Sequence, residues 1–412
     1  AAATGAWLWL GCSQRAGASI ASLWVASLLP TAALDLPRVR VNERHGERLV
    51  ALSEGAHGIT AVVEREGSRR LKLNNHYALG GTAATGDERM QAHLPLLRHP
   101  APRSVAFLGL GTGITAGGAL SHPVERLVAV ELVPEVIAAA RIHFSDANAG
   151  VTENGLAEIV ADDARHHLRR TSERFAVIVG DLVVPWRQGE GALFTLEQFR
   201  AARDALAPNG LFCQWVPLFQ LSAEETMILV RTFLRVFPKA EIWRGDFSPF
   251  EPAIALIGTA DGRGVDAAQI GRRLAEMKRD PANPHLTAGG ALWMYFVGEI
   301  EEADLGTEDF RINREDRPWI ELLAPLRHGG ARGATLFTGR QLEAWLDVVR
   351  RRSQATIERL PPTDAAAVAA GEALADWTLS TMENDSGRAD AARERMKTLL
   401  PTETFEQLFP QR

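Results

Sequence analysis

The chain has 412 residues, enough for two or three domains, and its 46% hydrophobic and 23% charged content is that of an ordinary globular protein. A formal net charge of -6 supplies no basic surface, which excludes nucleic acid as the expected partner. The two cysteines, Cys12 and Cys213, lie far apart, which excludes a disulfide framework and a cysteine metal cluster; no metal is expected.

Residues 1–38 form an apolar segment in which Arg15 is the sole charge before Asp35. Residues 16–34 approach the roughly 20 needed to cross a bilayer. Membrane association through residues 1–34 is therefore expected over a buried packing segment. A signal peptide fits less well, because no basic residue precedes Trp7.

Residues 39–87 read as a small antiparallel β domain, with apolar and β-branched runs at 48–53, 58–64 and 70–73 and a polar, glycine-rich loop from 74 to 87. A short helix over 88–94 should end or kink at Pro95. Residues 88–260 then alternate strands and helices. Strands are expected at 105–108, at a run ending on 131, and at 158–161, 175–181, 210–214, 240–244 and 253–258. The helix from 222 opens on Ser222 with Glu225 three residues on, a capping box. Seven strands with helices between them predict an α/β fold, a mostly parallel Rossmann-like sheet covered on both faces. Residues 261–330 read as a helical and loop-rich extension with an apolar patch at 292–297. Residues 331–412 read as a helical region, with Leu342, Trp345, Leu346 and Val349 at helical spacing.

The chemistry should sit on residues 104–131. A buried strand runs into the turn Gly109-Leu110-Gly111-Thr112-Gly113, then a helix, then a second strand ending on Glu131. Strand, glycine turn, helix, strand and acid form the nucleotide-binding unit of doubly wound folds. The turn is shorter than the dinucleotide pattern and suits S-adenosylmethionine or a relative, which has no pyrophosphate to cradle. Ligands in such sheets lie at the carboxyl ends of the strands. Those ends carry Glu131, Asp162-Asp163 and Asp181, so Glu131 is expected on the ribose, Asp163 and the Ala164 N–H on the adenine, and Asp181 at the reactive end. The loop from Leu182 to Gly191, with Pro185 and Trp186, has the hinges of a segment that closes over a substrate. His166 and His167 read as solvated helix surface, Trp215 and Trp243 as packing, and the stretch Arg314 to Arg317 as a structural turn without chemistry.

The segments HLPLLRHPAPRSVAFLGLGTG, VELVPEVIAAARIHF, ADDARHHL, DLVVPWRQGEGALFTLEQF and LAPNGLFCQWVPL, in this order, resemble the spermidine synthase family of aminopropyltransferases, and within it the branch fused to transporter-like transmembrane segments. The resemblance implies a small β domain followed by a methyltransferase-like Rossmann domain. It implies transfer of an aminopropyl group from decarboxylated S-adenosylmethionine to putrescine, with Asp181 binding and deprotonating the attacking amine. Gly109, Gly111, Thr112, Gly113, Glu131, Asp162, Asp163 and Ala164 would bind the donor. Gln91, His57, Pro185 and Trp186 would bind substrate, Met90 replacing the tyrosine that usually precedes the glutamine.

Two positions depart from the family. Thr112 stands where the family has an aspartate on the aminopropyl ammonium, and Val184 stands for the second aspartate of the gate loop. Without these carboxylates the expectation shifts from putrescine toward another amine, and toward a donor that keeps its carboxylate, S-adenosylmethionine itself. The alternatives are an S-adenosylmethionine-dependent methyltransferase and a non-catalytic nucleoside-binding domain on a membrane partner. A homodimer is expected, placed in the cytoplasm or at the cytoplasmic side of a membrane.

Overall fold

The computed structural model describes residues 41–409, apart from 44–45, 75–76, 188, 288–289, 305–310 and 329–335. The apolar segment 1–34 and Cys12 lie outside the described residues. Among the described residues no helix is long and apolar enough to cross a membrane.

Strands β1 (Arg48–Gly55), β2 (Gly58–Arg65), β3 (Ser68–Leu73) and β4 (Tyr77–Gly81) form an antiparallel sheet in sequence order. β4 lies in the expected loop, because the two glycines that end it mask its strand character. The inner face of this sheet carries Val62, Leu71 and Leu73. It packs on Val133, Val136, Ala139 and Phe144, in and around the helix Pro134–His143, which seats the small sheet on the main domain.

The main sheet contains β5 (Ser104–Leu108), β6 (Arg126–Glu131), β7 (Ala157–Ala161), β8 (Phe175–Gly180), β9 (Leu206–Pro217), β10 (Lys239–Arg244), β11 (Ala253–Thr259) and β12 (Phe296–Glu301). Their order is β12-β10-β11-β9-β8-β5-β6-β7. The strands from β7 to β9 pair in parallel, and β9, β11, β10 and β12 pair antiparallel, so the sheet is mixed and has one strand more than expected. The extra strand, β12, grows from the apolar patch read as part of a helical extension. The run was too short to tell a strand from a helix by its period.

The helix Thr85–Arg98 passes straight through Pro95 instead of ending there. Proline cannot donate the bond that the Gln91 carbonyl would otherwise receive. The indole Nε1–H of Trp215, on β9, donates to that carbonyl at 3.1 Å and fills the gap. One face of the main sheet is buried against this helix and the carboxyl-terminal helices. Gly371 of the helix Pro362–Met382 approaches so closely that a Cβ there would lie 1.9 Å from the Met294 carbonyl oxygen. The other face carries a cluster of phenylalanines among aliphatic residues. Phe212, Phe233 and Phe237 stack with ring centroids 4.9–5.9 Å apart, and Phe199 meets Phe233 edge-on at 5.3 Å. Replacing Phe233 by alanine opens a cavity in a fully buried cluster, and urea denaturation is expected to find a loss of about 3–5 kcal/mol.

Candidate functional site

The glycine turn takes a shape only glycine tolerates well. Gly109, Gly111 and Gly113 have φ of +116°, +54° and +78°. A Cβ on Gly111 would also lie 2.9 Å from the Leu79 carbonyl oxygen of β4, so the small sheet and the turn are built to touch. Glu131 fixes the turn from the next strand. Its Oε2 accepts the N–H groups of Leu110 at 3.1 Å and Gly111 at 3.2 Å, and its Oε1 accepts Val133 N–H at 3.0 Å. Asn148, wholly buried, holds the other side by donating from Nδ2 to the carbonyls of Thr112 at 3.0 Å and Ala140 at 3.1 Å.

Above this turn lies a cavity of about 780 Å³ at the carboxyl ends of the parallel strands. It receives Gly109, Gly111, Thr112, Glu131, Asp163, Ala164, Asp181, Gln91, His57 and Trp186 from the sequence-based set. Three members of that set do not reach it. Gly113 starts the helix Ile114–Gly118 and abuts Asn148. Asp162 turns away to pair with Arg170, and its Oδ1 accepts the Asp163 N–H at 2.8 Å. Pro185 is buried beneath its own loop, its carbonyl oxygen against Gly191.

Asp163 faces the cavity but is also engaged within the protein. It caps the helix Ala164–Arg170 by accepting Arg165 N–H at 2.8 Å, and the Arg165 guanidinium grips it at 2.7 Å. Burial alone would raise its pKa, but the bonds to Arg165 outweigh burial and hold it below the ordinary carboxylate value.

The opposite holds at the other carboxylates. Burial pushes Asp181 up to about 7, against the pull of the Leu182 N–H at 2.8 Å and with the charge of Glu131 adding to the rise. Burial pushes Glu88 up to about 8, although it accepts the Thr112 hydroxyl at 2.7 Å and Gly81 N–H at 2.8 Å; Asp181 and Asp87 add to the rise. Asp246 is pushed to about 7, again by burial, despite accepting Ser248 N–H at 2.7 Å. Asp87, exposed at the rim, is raised by the part of its surroundings that excludes water. Eight carboxylates line the cavity against two arginines, and both arginines are engaged, Arg165 with Asp163 and Arg187 with Glu190 at 2.6 Å. A buried anion without a cation beside it is costly, so this wall is suited to a cationic ligand.

This geometry answers the two departures at 112 and 184. The hydroxyl of Thr112 donates to Glu88, so a carboxylate contributed by the helix Thr85–Arg98 stands beside the threonine. The Val184 side chain is buried, and its N–H donates at 2.8 Å to Glu190, a cavity-lining carboxylate from the same loop. Sequence reasoning missed Asp87, Glu88, Asp246 and Glu251. The first two look like ordinary acids in a helix's first turn. The last two sit in the polar loop between β10 and β11, and nothing in their spacing signals a site.

A mixed α/β sheet with a ligand-sized cavity over its carboxyl edge defines the class. The comparisons with known proteins then narrow it. Residues 85–242 match the spermine/spermidine synthase domain. The polyamine aminopropyltransferase of Erwinia tasmaniensis is 30% identical over 215 residues, covering 50% of this chain and 75% of that protein. The enzyme of the same name from Aeropyrum pernix is 32% identical over 174 residues, covering 42% of this chain and 55% of its own length. A solved spermidine synthase in complex with the transition-state analogue AdoDATO is 23% identical, with a TM-score of 0.48 over 57% of this chain and 78% of that one. The chain belongs to the spermidine synthase family of polyamine aminopropyltransferases.

The raised carboxylates carry a stability signature. Their folded values lie above the ordinary values of 3.8 and 4.5, so the folded protein keeps protons that the unfolded chain has released. Stability on this account falls as pH rises from about 4 to about 8. Urea midpoints taken at pH 5 and pH 8 are expected to differ less in Glu88→Gln than in the native sequence, with the variant gaining at pH 8.

Proposed function

We propose that the protein transfers an aminopropyl group from decarboxylated S-adenosylmethionine to an amine acceptor. The observation that carries this reading is the position of Asp181. It lies in one cavity with Glu131, Asp163 and Ala164 beside the glycine turn, with Glu88 and Asp246, carboxylates raised by burial, and with Asp87 at the rim. On this reading Glu131 and the turn receive the ribose, and Asp163 with Ala164 receives the adenine. Glu88, beside Thr112, receives the ammonium of the aminopropyl arm.

The donor choice follows from charge. A donor carrying a carboxylate would set that group among Glu88, Asp87 and Asp181, where the charges of Asp181 and Asp87 already add to the rise of Glu88. A donor without it presents only positive charge to this wall. On this reading the donor is the decarboxylated one, not the S-adenosylmethionine that Thr112 alone suggests.

The step is a displacement at carbon. An amine is largely protonated near neutral pH and must lose a proton before or as its lone pair attacks. The nitrogen forms a bond to the aminopropyl carbon next to sulfur. The carbon–sulfur bond breaks, its electron pair stays on sulfur, and methylthioadenosine leaves. The proton passes to the Asp181 carboxylate. A base with a pKa near the working pH is well matched to that transfer, and about 7 meets the condition.

Incubating the protein with decarboxylated S-adenosylmethionine and putrescine is expected to yield methylthioadenosine and spermidine in equal amounts. Asp181→Asn is expected to lower kcat by roughly 10²–10⁴-fold while donor binding persists. Methylation of the amine with S-adenosylmethionine, or binding of methylthioadenosine without turnover of either donor, would replace this reading with one of its alternatives.

A further inference from the structure

The polar stretch near residue 314, for which the sequence offers no chemistry, is tied to the cavity loop. Arg314 and Arg317 close a tight turn, exchanging backbone bonds of 3.2 and 3.1 Å. Glu197 fastens this turn to the start of the helix Leu196–Asp204, accepting Glu315 N–H at 3.0 Å and the Arg314 guanidinium at 3.2 Å. Just before the turn, Asn313 is wholly buried and fully used. Its N–H donates to the Thr232 hydroxyl at 2.9 Å, and its carbonyl accepts Leu196 N–H at 2.9 Å. Its Nδ2 donates to the Phe194 carbonyl at 3.0 Å and reaches the Gly191 carbonyl at 3.5 Å, while its Oδ1 accepts Ile320 N–H at 3.2 Å. One residue on, in the helix Trp319–His328, Glu321 accepts the Gly189 N–H. The fit leaves no slack at Gly191, where a Cβ would lie 2.8 Å from the Pro185 carbonyl oxygen and 2.9 Å from Glu321 Cγ.

The loop that follows Asp181 is therefore held at two ends by different parts of the chain. Its near end continues β8. Its far end, from Gly189 to Phe194, is fastened to residues 313–321, which lie beyond the family-matched segment 85–242. Between those ends, Leu182, Val183, Trp186 and Arg187 line the cavity.

We propose that residues 313–321 form a strap that sets the position of this loop over the cavity, with Asn313 and Glu321 as positioning residues. Neither touches the reacting atoms. Both act through the backbone of the loop, so the strength of these contacts governs how firmly the loop holds a ligand against Asp181. Glu321 is the informative residue, because it is partly exposed and contributes one bond to the loop. The kinetic arm of the test rests on the aminopropyl transfer proposed above; the exchange arm does not.

The experiment compares Glu321→Ala and Glu321→Gln with the native chain by amide hydrogen exchange and by steady-state transfer kinetics with putrescine. Glu321→Ala is expected to speed exchange across 182–191 by about tenfold and to raise the KM for putrescine by a similar factor, with kcat changed less than about twofold. Glu321→Gln keeps an oxygen that can accept the Gly189 N–H and is expected to restore both. Unchanged exchange in the loop of Glu321→Ala overturns the proposal, as does an equal acceleration over the whole chain. Should the native chain transfer no aminopropyl group, the exchange result decides the role of the strap by itself.

Discussion

A carboxylate removed from water with no cation beside it resists ionisation, and this protein gathers several such groups around one cavity. Glu88, Asp181 and Asp246 are raised chiefly by burial, and the arginines that line the same space are already engaged with Asp163 and Glu190. An arrangement that costs the folded state free energy calls for a ligand that relieves it. A protonated amine does so, and in doing so it restores charge to the carboxylates that hold it. On the proposed reading, the wall that destabilises the empty protein also favours a cation as its ligand.

The rest of the architecture keeps that wall in place. Glu131 uses both carboxylate oxygens on backbone N–H groups and fixes the glycine turn against β6. The helix Thr85–Arg98 brings Asp87, Glu88 and Gln91 to the cavity. Its opposite side is tied down by a buried network: Arg89 pairs with Asp280 at 2.6 Å, and His93 lies 2.7 Å from the same carboxylate and 2.9 Å from His122. Trp215 repairs the gap that Pro95 leaves in this helix. Asp280 and the carboxyl-terminal helices lie outside the family-matched segment. Yet Asp280 anchors the helix that carries Glu88, and the helix Pro362–Met382 belongs to the same core, so the extension helps to hold the site in place.

Much of this was legible in the sequence, and the reasons are specific. The central strands β5, β6 and β8 are short and mostly apolar runs, and the acids that follow the strands are local features. The capping box at Ser222 and Glu225 is present as read, with Glu225 accepting the Ser222 N–H at 2.7 Å. β4 and β12 escaped because glycines in one and a brief aromatic run in the other carry no clear period. Glu88 escaped for a different reason. Its role depends on a helix crossing the mouth of the glycine turn, so that a residue 24 positions before Thr112 meets its hydroxyl. No reading of position 112 alone reveals that contact.

The account rests on buried acids that become fully ionised when an amine arrives, and proton release reports this directly. Titrating putrescine at pH 7 into the protein saturated with methylthioadenosine, in two buffers of different ionisation enthalpy, gives the number of protons exchanged on binding. The account predicts net release of protons to the buffer, reduced in Asp181→Asn. Binding with no proton release, or with uptake, would contradict it.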